Sequence, residues 1–150
     1  MAETLREKII KAYVTRLAGI LTASGYNINA GASVYRAQIT INPDDLPAIV
    51  VWPKPEESKE NYNSNFCDMA LRCEVMAAFG STNASIVQEQ MLGDLKKCML
   101  ISSTPITYVD EISYVSGGPT EQPPGEDTVT AIFGEFRIIY HETIGDPYSQ

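Results

Sequence analysis

A single histidine, three cysteines and a scatter of adjacent carboxylates are the side chains here that could do conventional chemistry. General acid–base work needs a titrating group held beside a partner. Such partners are scarce near His141 in the sequence, so it reads as a strand-end side chain. The carboxylate pairs Asp44-Asp45, Glu56-Glu57, Asp110-Glu111 and Glu126-Asp127 read as turn and loop charges. Metal and glycosidase sites are assembled in space rather than by adjacency, so these pairs alone make no such site. P-loop, GxGxxG, GxSxG, HExxH and DxDxDG patterns are all missing. Structural zinc needs clustered Cys and His ligands, and this sequence offers no close cysteine pair. Cys67 and Cys73 lie about 20 Å apart along an extended chain, too far for a disulfide, whose Cα atoms sit within ~7 Å. With Cys98 in a separate helical segment, all three read as reduced core residues. No metal or cofactor is expected, and an enzyme is the weaker hypothesis.

The side chains that stand out instead are charges set on strands, and the strand that organises them is Phe66 to Phe79. Cys67, Met69, Leu71, Cys73, Val75, Ala77 and Phe79 fall on odd positions, and Asp68, Arg72 and Glu74 on even ones. Successive strand residues point to opposite faces, so one face is apolar and the other mixed and charged. At ~3.3 Å per residue the run spans roughly 45 Å, long for a strand. It is expected to project past its own core. Around it, Thr4 and Glu7 make a capping box for a helix from Leu5 to Leu21, closed by Ser24-Gly25. Val34 to Ile39 reads as an edge strand. Ala48 to Trp52 is a short strand closed by Pro53 and Pro55, with Trp52 placed at the core rim or at a subunit contact. Lys54 to Asn65 is charged and aperiodic, and predicts a mobile hairpin or loop. Gly80-Ser81-Thr82-Asn83 supplies a turn and helix cap. A second helix then runs to about Leu100, with a further capping-box pattern at Ser85 and Gln88 and a buried stripe of Ile86 or Val87, Met91, Leu95, Cys98 and Met99. Ile106 to Val115 and Thr128 to Tyr140 are the last strands, flanking an exposed loop at Ser116–Asp127. Glu135 and Arg137 lie on the charged face of the last strand. His141 to Gln150 is a polar tail expected to order only against a partner. The whole predicts one α+β domain, an antiparallel sheet of four or more strands with both helices on one face.

The formal net charge is −8, divided as +1 over residues 1–53 and −9 over residues 54–150. That excludes a basic nucleic-acid footprint, yet it suits the lining of a passage that DNA crosses without sticking. No apolar run reaches the ~20 residues of a membrane span. The opening MAETLREK is no secretory signal, so the chain is expected to stay where it is made.

The layout as a whole resembles the tail terminator (tail completion, minor tail U-like) proteins of long-tailed bacteriophages. The resemblance is carried by the opening LREKIIKAYVTRLAGIL, by VYRAQITINPDDLPAIVVWPKPEES, by CDMALRCEVMAAF, by IVQEQMLGDLKKCML and by the closing FGEFRIIYHETIGDPYSQ, nearly the entire chain. It implies a virion structural protein at the head-proximal end of the tail, assembled in the host cytoplasm. It implies a hexameric ring that caps the tail tube protein, stops polymerisation and offers a surface to the head connector, with DNA passing through its channel and no membrane involved. Other phage neck and head–tail joining proteins share such layouts. Under this resemblance Arg72, Glu74, Glu135, Arg137 and Trp52 are oligomer-contact candidates. Cross-strand pairing within one subunit is the alternative for the four charges. Tyr62, Glu126, Asp127, Asp146 and Tyr148 are candidates for touching tube or connector. The rival classes are a small acidic binding protein and an enzyme of unrecognised type.

Overall fold

Alternation over Ser64–Ala78 makes β3 the central strand of a five-stranded sheet, in the order β1-β2-β3-β5-β4. The computed structural model describes residues 2–120 and 128–150. In chain order the elements are α1 (Leu5–Leu17), β1 (Val34–Arg36), β2 (Ala48–Asn61), β3, α2 (Ala84–Met99), β4 (Val109–Pro119) and β5 (Val129–Thr143). Neighbouring strands pair antiparallel except β1, which runs parallel to β2, so the sheet is mixed. The odd residues Cys67 to Ala77 are buried, together with Ile132, Phe136, Ile138 and Tyr140 of β5, in one cluster with Leu5, Ile9, Tyr13 and Leu17 of α1 and Val87, Met91, Leu95 and Cys98 of α2. Both helices therefore cover one face, as expected. Full burial of one such aliphatic side chain contributes about 1.5–3 kcal/mol. All three cysteines are free and buried. Burial pushes the Cys67 thiol up to about 11 and that of Cys73 up to about 12.

Several boundaries differ from the sequence reading. Helix α1 stops at Leu17, not Leu21. Thr4 caps its start by accepting from the Glu7 N–H at 3.1 Å, but past Leu17 the chain turns to drop Ile20 into the core. The turn at Gly31 packs there, donating its N–H to the Ile20 carbonyl at 2.9 Å, and Gly25 closes only a short 3-10 turn at Thr22–Ser24. Asn83 of the Gly80–Asn83 turn caps α2 as expected, but Ser85 and Gln88 form no capping box, and Gln88 reaches Thr130 instead, at 2.7 Å. Val87, not Ile86, takes the buried position.

Of the two forms expected for Lys54–Asn65, the structure shows the hairpin and not a loop: β2 continues to Asn61, and the chain turns at Tyr62-Asn63. Pro53 and Pro55 do not end the strand because they sit on an open edge. Ile49 donates its N–H to the Ser33 carbonyl and Val51 accepts from Ala37, both at 2.8 Å, so odd residues of β2 face β1. The next odd residue, Pro53, has no N–H to give, and β1 stops alongside it while a bulge follows between Pro53 and Glu56. The end of the hairpin, Glu57 through Asn63, is exposed, so β3 and its partner do project past the core. The last two strands are each shifted or lengthened, to Pro119 and Thr143, and the part of the expected loop at 121–127 lies outside the described residues.

The tail also differs. It orders against its own chain: Ile144 N–H bonds the Asn63 carbonyl, Thr143 N–H that of Ser149, and the Pro147 carbonyl accepts from Leu5 N–H at 2.8 Å. The Asp146 carboxylate takes the Ser149 hydroxyl and the Tyr148 N–H, which hold it below its usual pKa.

Candidate assembly surfaces

With both helices on one side, the even residues of β3 and their neighbours on β5 form a second, uncovered face. Alternation fixes which side chains lie there, and pairing fixes who meets whom. Arg72 stands opposite Glu135. Its guanidinium donates to Glu74 Oε1 at 3.1 Å, lies 3.9 Å from Glu135 Oε1, and stacks over the Phe133 ring at 4.1 Å. Arg137 is not part of that group. It forks onto Asp68, one register step along the arm. The candidate charges are thus satisfied within one subunit as two separate clusters on one face. Each such half-exposed pair is worth little on its own. Between them runs a shallow depression of about 430 Å³ lined by Glu57, Asp68, Ala70, Glu135 and Arg137.

Trp52 stands opposite Arg72, part-buried, and its indole Nε1–H is buried without a hydrogen-bond partner among the described residues. Tyr62 sits at the hairpin tip, 96% exposed and at φ +57°. A bulky residue in that backbone region is uncommon and costs energy. Tyr148 is exposed and Asp146 anchors the tail, while Glu126 and Asp127 lie outside the described residues.

His141 does have a partner. Its Nδ1 lies 2.7 Å from Asp110 Oδ2 and its ring 5.7 Å from that of Phe66, tying β5 to the start of β4. The partner is distant in sequence, which is why local reading missed it. The sequence also left unread a buried carboxylate. Asp94 of α2, 3% exposed, accepts from the Asn27 and Ile28 N–H groups and from Asn27 Nδ2, all at 3.0–3.1 Å. A charged residue on the buried stripe was the available signal. A third network roots the hairpin: Arg6 donates to the Lys54 carbonyl at 2.7 Å and pairs with Glu56, which accepts the Tyr140 hydroxyl at 2.6 Å. Among the described residues, no group of three or more His, Cys, Asp or Glu is placed to hold a metal ion, and no helix is long and apolar enough to cross a membrane.

No protein-family profile matches this sequence, and no curated protein matches it. The fold does recur among solved structures, where 34 chains match. One is a chain from the virion of a native gene transfer agent particle, at a TM-score of 0.57 and 10% identity over 86% of this chain and 91% of that one. At that identity the likeness concerns the fold.

Proposed function

We propose that this chain is a structural protein of a phage-like virion, and within it a tail terminator. It assembles into a ring, hexameric in the reading we favour, at the head-proximal end of the tail tube. There it halts polymerisation and presents a joining surface to the head connector, while DNA crosses the channel without being held. The observation that carries the reading is the fold shared with a virion chain over 86% of this sequence. A sheet with one whole face uncovered by helices, a hairpin end projecting beyond the core and an acidic surplus support it. In this reading the Arg72–Glu74–Glu135 cluster, Arg137 and Trp52 meet the neighbouring subunit. Tyr62, Asp146 and Tyr148, with Glu126 and Asp127, meet tube or connector. The role is one of assembly rather than catalysis.

The test is the mass of the purified protein across a concentration series, with negative-stain images of the same samples. A discrete ring with a central hole is the expected product, in solution or on isolated tail tubes. A strict monomer that also leaves both ends of such tubes uncapped would sink the reading.

A further inference from the structure

The segment that follows β1 has the composition of a strand but pairs with no strand among the described residues. Val34–Arg36 lies along β2, and then Ala37, at φ +51°, turns the chain off the sheet edge. Gln38-Ile39-Thr40-Ile41 alternates polar with β-branched residues, the pattern of a half-buried strand. Here it is unpaired with any strand among the described residues, and Ile39 is 90% exposed. Its natural continuation along β2 is blocked by Pro53.

At the far end of the sheet, β4 offers the reverse. It pairs with β5 alone, so among the described residues no strand uses its outer edge. Register shifts between Val109 and Glu111 and between Tyr114 and Ser116 leave a regular run, Glu111 to Tyr114, as long as Gln38 to Ile41. Ile112 and Tyr114 point to the helix side but are only half-buried. They border a cleft of about 450 Å³ shared with Tyr13, Leu100, Ile106 and Val109.

We infer that Gln38–Ile41 of one copy adds as a strand to the Glu111–Tyr114 edge of β4 in a second copy, seating Ile39 and Ile41 in that cleft. Strand addition supplies main-chain hydrogen bonds, and alternate side chains fill pockets on one face. The partner is another copy because β1 and β4 bound opposite ends of a five-stranded sheet, roughly 19 Å apart at ~4.8 Å per strand spacing. Charge selects this segment over the other free edge. Residues 37–43 carry no charge, whereas the open part of β2 carries Glu56, Glu57 and Glu60 with Lys54 and Lys59, a net acidic edge that would face Asp110 and Glu111. Joining two different surfaces is a heterologous contact, which propagates until it closes into a ring. The inference rests on the reading of this chain as a self-assembling subunit.

The test is a disulfide trap in the full chain. Thr40 and Ser113 fall on the same face of the extended sheet, and the native thiols are buried, so T40C/S113C adds the accessible pair. Under mild oxidation the double variant is expected to give a ladder of linked oligomers, which neither single variant gives. I39D, a change at an exposed position, is expected to weaken self-association at least tenfold while leaving the unfolding transition unmoved. Rings that form normally in I39D, with no ladder from the double variant, would overturn strand donation and leave the ring reading intact. A chain that neither associates nor cross-links overturns the inference as well, and tube capping then decides the fate of the wider reading.

Discussion

Asp94 shows how a single side chain can set a loop. Its carboxylate gathers N–H groups from Asn27 and Ile28 and so fixes the chain between α1 and β1 against α2. Leaving buried donors unpaired costs about 1–3 kcal/mol each. Asp94→Ala is therefore expected to lose about 2–4 kcal/mol in a denaturant titration, more than Met91→Leu in the same helix, a volume-conserving swap. Glu7 gives a pH handle. The Arg36 guanidinium holds it at 2.6 and 2.8 Å, and that bond draws its carboxyl below the usual 4.5. A depressed folded-state pKa adds stability that is present above the unfolded value and is lost as pH falls through the folded one. Wild type should thus outlast Glu7→Gln in thermal melts at pH 7, and the gap should close below the ordinary glutamate value. A gap that fails to narrow as pH falls below the ordinary glutamate value would exclude the ion pair as its cause.

Elements were legible wherever burial imposed a period. β3 and β5 could be read from alternation, and α2 from its stripe, because each has one face against the core. The hairpin beyond Trp52 could not be read that way. Its residues lie outside the core, so no apolar period marks them, and its strand form comes from backbone pairing with β3. The tail escaped for the same reason, being held by main-chain bonds to Asn63 and Leu5 that leave no trace in residue type. The end of α1 differs because the signal lies in a glycine fourteen residues past Leu17, at Gly31. A Cβ there would sit 2.6 Å from the Leu17 and Ala18 carbonyl oxygens, and backbone cannot yield as a side chain can. Gly31→Ala is expected to cost about 1–3 kcal/mol by overpacking, read as a lower denaturation midpoint at unchanged slope. Of the surface candidates, the sequence placed Arg72, Glu74, Glu135 and Arg137 on one face. It could not tell that Arg137 pairs with Asp68, because register is decided by the whole sheet.

At the scale of the molecule, one face is closed by helices and the other left to whatever it meets. The charge reversal Arg72→Glu tests whether that face joins subunits. It breaks the contact with Glu74 and Glu135 at modest expense, since the groups are partly solvated, so the variant should fold. Assembly should fall sharply in sedimentation runs at the wild-type concentration. A folded variant that assembles fully would clear this cluster of any role between subunits.

β3 is matched residue for residue with β5 from Ser64 to Ala78, and with β2 along most of the other side. Antiparallel hydrogen bonds lie across the strands. A pull on the hairpin along its axis therefore loads the ladder to β5 in shear, many bonds at once, instead of unzipping it. The projecting end is thus tied to the middle of the core by the whole length of that ladder.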